Sequence, residues 1–154
     1  MNEQIYQPNE AKLAEIEATC ACSNVRKAAR AVTQLFDEVL QPTGLRSTQF
    51  TLLVAVALLG EAPVTQLAEA LVMDRTTLAR NLKPLESLGL LTIEAGTDRR
   101  RHLVQLTERG RQALARALPS WEQAQHQVVA RLGREQWHAL RASLKATMTL
   151  AQPV

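Results

Sequence analysis

Between Met73 and Leu106 the spacing of apolar residues changes from three-or-four to two, and that switch constrains the fold more than any other feature of the chain. Asp74 can accept hydrogen bonds from the amides that follow it and so start a helix, and Gly89 can take the left-handed conformation that ends one. At about 100° per residue, Leu78, Leu82 and Leu85 fall on one narrow stripe, while Thr76, Arg80, Lys83 and Ser87 fall opposite. One side of this helix is packed and the other is free to touch something. After Gly89 come two short β-type runs, Leu90 to Glu94 and His102 to Leu106, joined by a segment that carries Arg99, Arg100 and Arg101.

A helix with small polar and basic residues outward, followed at once by an arginine-tipped ribbon, suits a polyanion. Such a helix fits the major groove of DNA, where Arg and Lys donate to guanine, and arginines suit the narrow, electronegative minor groove. The bland alternative is a solvated helix and an ordinary charged turn. Helix and ribbon stand in the order that a winged helix-turn-helix requires, which favours nucleic acid. Charge alone decides little. The net charge is +3, and it is uneven: residues 1–23 hold one lysine against four glutamates, whereas residues 102–154 hold seven basic residues against three acidic ones. No apolar run reaches membrane-spanning length and the polar, acidic start does not resemble a signal peptide, so a cytoplasmic protein with no membrane contact is expected. There Cys20 and Cys22 would rest reduced.

With 154 residues, 46% of them hydrophobic and 21% charged, the chain is expected to form one domain, 1–154, mainly α with a small β-hairpin. A long first helix is predicted within 9–42, since Val25, Ala28, Val32, Leu35, Phe36, Val39 and Leu40 recur at helical intervals before Pro42 and Gly44. A second helix, Ser47 to Leu59, would turn Phe50, Leu53, Val54, Ala57 and Leu58 inward, and a third, Pro63 to Leu71, would bury Leu67, Ala68 and Leu71. Pro84, inside the exposed-face helix, predicts a kink near Arg80 to Lys83. Thr107 can cap a further helix with Leu114, Leu118, Trp121, Val128 and Leu132 as its apolar row and a bend at Pro119, and after Gly133 a last helix carries Trp137, Leu140, Leu144 and Met148. The segments 9–42 and 108–150 thus flank a compact winged helix-turn-helix unit, 46–107, too small to bury both. A two-fold homodimer that interleaves these helices buries them and presents two recognition helices to a palindromic site.

From about Val25 to Ala130 the chain resembles the MarR-type (multiple-antibiotic-resistance) regulators. The motifs that carry the resemblance are Gly44-Leu45 with Thr48-Gln49-Phe50, Leu67-Ala68-Glu69-Ala70-Leu71, Asp74-Arg75-Thr76-Thr77-Leu78-Ala79-Arg80, Leu85-Glu86 with Gly89-Leu90, and Asp98-Arg99-Arg100 leading to Leu106-Thr107 and Gly110. The resemblance implies a triangular obligate homodimer that binds pseudo-palindromic promoter DNA and is released when a ligand or a thiol modification changes the spacing of its wings. It implies that Thr76, Thr77, Arg80, Asn81 and Lys83 face the major groove, with Arg75 on a phosphate. Arg100 matches the family's wing arginine, Arg99 to Arg101 would be contacts, and Asp98 would orient Arg100 by a charge-assisted hydrogen bond. The sequence departs from the pattern at Arg46-Ser47 and at Ala62-Pro63, where capping residues are usual; both affect helix boundaries.

Aligned back from Gly44, Cys22 falls where the organic-hydroperoxide-sensing branch of the family carries its reactive cysteine, although Arg26 and Phe36 stand where that branch has tyrosines. Arg26, Lys27 and Arg30 follow closely, and nearby cations favour the reactive thiolate. On a regular helix Cys20 and Cys22 point to nearly opposite sides, so a bridge within one chain requires the helix to unwind there, whereas a bridge between subunits does not. Inert thiols, a redox switch and soft-metal binding all stay open at this level. His102, His126 and His138 lack metal-type spacing, and neither a metal nor a cofactor is expected. A crevice between the arms and the winged helix would take a small aromatic acid, as the family implies. The leading expectation is a homodimeric repressor without enzymatic activity. The alternatives are a thiol peroxidase-like enzyme using Cys22, which lacks a motif that supplies a base, and a dimeric interaction module without DNA binding, in which the basic residues of helix and wing would have been lost.

Overall fold

The computed structural model describes residues 9–96 and 102–151. The order of elements is α1 (Glu10–Thr19), α2 (Ala21–Leu40), a 3-10 turn (Gln41–Thr43), α3 (Ser47–Leu59), β1 (Ala62–Pro63), α4 (Val64–Ala70), α5 (Arg75–Ser87), β2 (Leu91–Ala95), β3 (His102–Leu106), α6 (Glu108–Leu132), α7 (Arg134–Met148) and a closing 3-10 turn (Thr149–Ala151). This is the mainly helical winged helix-turn-helix with long terminal helices that the periodicity predicts. Asp98, Arg99, Arg100 and Arg101 lie outside the described residues.

Three expectations need correction. The first helix is not continuous: Cys20, with φ −61° and ψ 111°, leaves the helical region between α1 and α2. Asn24 fixes the bend, its Nδ2 donating to the carbonyls of Ala18 at 3.1 Å and Cys20 at 3.0 Å, and Lys27 reaches back to Glu17 at 2.6 Å. The hairpin is part of a three-stranded antiparallel sheet in the order β1-β3-β2, with Ala62 opposite Val104 and Pro63 opposite Leu103. Pro63 sits on an edge strand, where its missing N–H is tolerated, and two residues are too few for any periodicity to reveal. In α3 the buried residues are Phe50, Leu52, Leu53 and Val56, whereas Leu58 is 82% exposed. That helix is apolar on nearly every side, so spacing cannot phase it.

Within one chain α6 buries Gly110, Ala113, Ala117, Ala124 and Val128, and leaves Leu118, Trp121 and Leu132 substantially exposed. Of the expected row, Val128 is buried and Leu114 packs partly on the core, while small side chains between them let the helix lie close to α2 and α3. Trp121 stacks on Phe50 with ring centroids 6.4 Å apart. Pro119 and Pro84 are both accommodated inside unbroken helices.

Leu40, Leu53, Leu67, Leu78, Leu82, Leu85, Leu91 and Val104 form the fully buried centre. The start of α6 is fastened to the far end of α5. Thr107 donates its hydroxyl proton to the Gly89 carbonyl at 2.7 Å and its amide to the Leu90 carbonyl at 3.1 Å, while its oxygen accepts from the Gly110 amide at 3.0 Å. A methyl group on Gly110 would run into the Leu90 carbonyl oxygen, so the close approach requires glycine. Gly110→Ala should therefore lower the free energy of unfolding by about 3 kcal/mol, the upper end of what overpacking costs, as read from urea denaturation; an unchanged midpoint would overturn this account of the junction.

Candidate nucleic-acid interface

The recognition helix α5 is built by its two ends. At the start, Asp74 accepts from the Thr77 amide at 2.9 Å and from the Thr77 hydroxyl at 2.6 Å. These two bonds, the hydroxyl's first, hold the Asp74 carboxyl below its ordinary value of 3.8. At the other end Gly89, with φ +67°, lets its amide and that of Leu90 turn back to the Glu86 and Leu85 carbonyls. The turn before α5 has the same pattern, the Val72 and Met73 amides bonding back to Glu69 and Ala68, but with valine in the left-handed position at φ +53°. A β-branched residue there is strained, at a cost of about 1–2 kcal/mol.

Leu78, Leu82 and Leu85 are buried against the core, which leaves Arg75, Thr76, Thr77, Ala79, Arg80 and Lys83 exposed. The sequence-derived stripe and its opposite face are thus where the periodicity placed them. Thr77 spends its hydroxyl proton on Asp74, so toward a ligand it offers an acceptor only. Asn81 is half-buried and turned toward the start of α3, where a crevice of about 370 Å³ is lined by Arg46, Thr48, Gln49, Leu52, Asn81 and Pro84. Two residues of this surface were missed from sequence. Ala79 stood only as part of a family motif, and Arg46 only as a helix boundary. The exposed face combines guanidinium and ammonium donors, a threonine and a small methyl group, a set that can donate to guanine and touch a thymine methyl.

A profile of the MarR family matches residues 43–101. The crystal structure of the M. tuberculosis transcriptional regulator MosR in complex with DNA is similar over 86% of this chain and 96% of that one, with 37% identity and a TM-score of 0.79. The chain belongs to the MarR family. A probable transcriptional regulator from Pseudomonas aeruginosa shares 28% identity over 84% of this chain and 98% of that one, with a TM-score of 0.76. The HTH-type transcriptional regulator YwoH of Bacillus subtilis is 30% identical over 84 residues, a match that spans 54% of this chain and 61% of YwoH.

In this MarR-family chain the terminal helices carry apolar surface with no cover of its own. Leu13 and Ile16 on α1, Val25 and Val32 on α2, Leu118, Trp121 and Leu132 on α6, and Leu140 and Met148 on α7 are all exposed, and α7 buries no residue at all. Cys20 is half-buried at the α1–α2 bend and Cys22 is exposed in the first turn of α2. Among the described residues, no helix is long and apolar enough to cross a membrane.

The depressed carboxyl of Asp74 gives the cap a defined pH window. A carboxyl lowered by folding stabilises the folded state above its unfolded value, and that contribution is lost as pH falls through the folded value. Asp74→Ala should lower the melting temperature at neutral pH, and the gap to the wild type should close below about pH 3.8; Asp74→Asn, which keeps an acceptor, should retain most of the stability. A gap that persists unchanged in acid would show that the cap does not depend on the carboxylate.

Proposed function

We propose that the chain is a homodimeric, sequence-specific DNA-binding transcriptional regulator that represses from a pseudo-palindromic promoter site in the cytoplasm and acts by binding, without catalysis. The observation that carries this reading is the exposed face of α5, with Thr76, Ala79, Arg80 and Lys83 held outward by a capped helix. Its support is the likeness to MosR, solved in complex with DNA. In this reading Arg80, Thr76 and Lys83 read base edges, Arg75 meets a phosphate, Thr77 and Asn81 border the groove, and Arg99 to Arg101 contribute positive charge from the wing, oriented by Asp98. The uncovered apolar faces of α1, α2, α6 and α7 support a second copy as the partner that covers them.

Regulation by thiol oxidation is favoured by one observation, the bend at Cys20. Cys20 is the residue at which the helix is interrupted and Cys22 follows it, exposed in the first turn of α2, so part of the backbone change that a bridge demands has been made at Cys20. A hydroperoxide would oxidise the Cys22 thiolate to a sulfenic acid, leaving as the alcohol, and the second thiol would displace water to form the disulfide. Soft-metal binding would engage the same thiols and is distinguished by its insensitivity to reductant.

Fluorescence anisotropy on the DNA upstream of the gene tests both parts. Arg80→Ala should weaken specific binding by about 1–3 kcal/mol and leave non-specific binding nearly unchanged, while Arg100→Ala should weaken all DNA binding and reduce the salt slope by about one. Equal affinity for promoter and random DNA in the wild type would overturn the regulator reading. Binding lost on hydroperoxide treatment, restored by dithiothreitol and indifferent to oxidant in Cys22→Ser is the outcome expected of the thiol switch; binding indifferent to oxidant in the wild type would overturn it.

A further inference from the structure

The cap of α5 does more than start the helix, because it also fixes the direction of a hydroxyl on the exposed surface. Thr77 Oγ1 donates its one proton to Asp74 Oδ2 at 2.6 Å, and the Thr77 amide donates to Asp74 Oδ1 at 2.9 Å. An ionised carboxylate only accepts, so the hydroxyl bond runs one way. The lowered carboxyl of Asp74 keeps it ionised at neutral pH. Both side chains are exposed. What the pair turns outward is therefore lone pairs on Thr77 Oγ1 and on the carboxylate, with no proton among them.

An acceptor-only, negatively charged corner selects its partner on DNA. A phosphate oxygen also only accepts and carries charge of the same sign, so the backbone is excluded. In the major groove thymine O4 and guanine O6 and N7 accept, and the donors there are the exocyclic amino groups, adenine N6 and cytosine N4. The first residues of a recognition helix are the ones that reach base edges, which is where Asp74 and Thr77 stand. Thr77 precedes Arg80 by three residues, so the two are neighbours on the helix surface about 4.5 Å apart along its axis. That separation is close to one base-pair step of about 3.4 Å.

We infer that the Asp74–Thr77 pair is a specificity element: Thr77 Oγ1 accepts from the amino group of an adenine or cytosine within one or two steps of the base read by Arg80, and guanine and thymine are rejected at that position of that strand. Thr77 makes the contact, and Asp74 is a positioning residue that acts through it. The inference rests on the regulator reading and deepens it. It also separates the two functions of Asp74. In Asp74→Asn the side-chain oxygen must stay on the Thr77 amide, which needs an acceptor. The new Nδ2 then faces Thr77 Oγ1 and donates to it, so the threonine proton is released outward and the corner becomes a donor.

The test is selection of full-length protein on a library of random DNA duplexes, followed by anisotropy on the selected duplex. The wild type should prefer adenine or cytosine about tenfold over guanine or thymine at one position per half-site, beside the base whose preference Arg80→Ala removes. Purine in place of adenine, or 2-pyrimidinone in place of cytosine, deletes the amino group. One of the two should weaken binding about as much as the wrong base, which tells the sources apart. Thr77→Val should lose the preference and the sensitivity to the analogue, and Thr77→Ser should restore both. Asp74→Asn should admit guanine or thymine at that position and leave the Arg80-dependent preference in place, a change that mere loss of helix stability does not produce. Sequence-specific binding with the same preferences in Asp74→Asn and Thr77→Val as in the wild type would overturn this inference and leave the regulator reading standing. No sequence preference in the wild type would overturn the regulator reading, and this inference with it.

Discussion

Thr107 joins two helices that do different work. Its hydroxyl proton goes to the last residue of the α5 corner, Gly89, and its oxygen caps α6 through the Gly110 amide. The two bonds use both capacities of a single hydroxyl, so neither end moves without the other. Because Gly110 has no side chain, the start of α6 sits directly against the Leu90 carbonyl. The recognition helix is therefore tied to the base of the longest helix in the chain with no flexible linker between them. A second tie lies on the other side of the head, where Asp37 of α2 caps α3 through the Ser47 amide. Both arms are thus attached to the head by hydrogen bonds at helix termini.

The division of α6 into a small face and a large face follows from the same geometry. Gly110, Ala113, Ala117 and Ala124 let the helix lie close to α2 and α3, and close packing of small residues satisfies the intrachain contact. The large residues that remain, with those of α1, α2 and α7, form an apolar surface that one chain has no means to cover. Burial of such residues is worth about 25 cal/mol per Å² of apolar area, so leaving this many exposed in a monomer would forfeit a large part of the stability of a domain of this size. A second copy is the economical cover, since a two-fold axis gives each arm an identical arm to pack on.

The winged helix-turn-helix was legible because its signals are local. Asp74, the stripe of Leu78, Leu82 and Leu85, and Gly89 each act through a helix period or a backbone angle, and each occupies the place that its chemistry demands. The misreadings share a cause as well. Apolar spacing reports that a face is buried and does not report against what, so the row of large residues on α6 stood out while the alanines that pack within the chain did not. In α3 every phase is apolar, and Leu58 could not be told from Leu53. The break at Cys20 has no proline or glycine to announce it; it is stabilised by Asn24 and Lys27, residues that look ordinary in a solvated helix. At the candidate interface the outward residues of α5 were legible, whereas Arg46 and Asp37 were not, since both owe their place to the packing of α2 and α5 on α3.

Val72 gives the last link. The two helix ends that flank the α4–α5 and α5–β2 corners use the same pair of reversed amide bonds, with glycine at one and valine at the other. Glycine at Gly89 costs nothing in the left-handed region, whereas valine at Val72 holds strain at the point where α4 hands over to the recognition helix. On either side of it Leu71 and Met73 are partly buried and pack against the core. The one non-glycine residue in the left-handed region among the described residues therefore lies two positions before Asp74, which sets where α5 begins. A small change in how Leu71 and Met73 pack has a short mechanical path to the cap, and through the cap to the face that carries Thr76, Arg80 and Lys83.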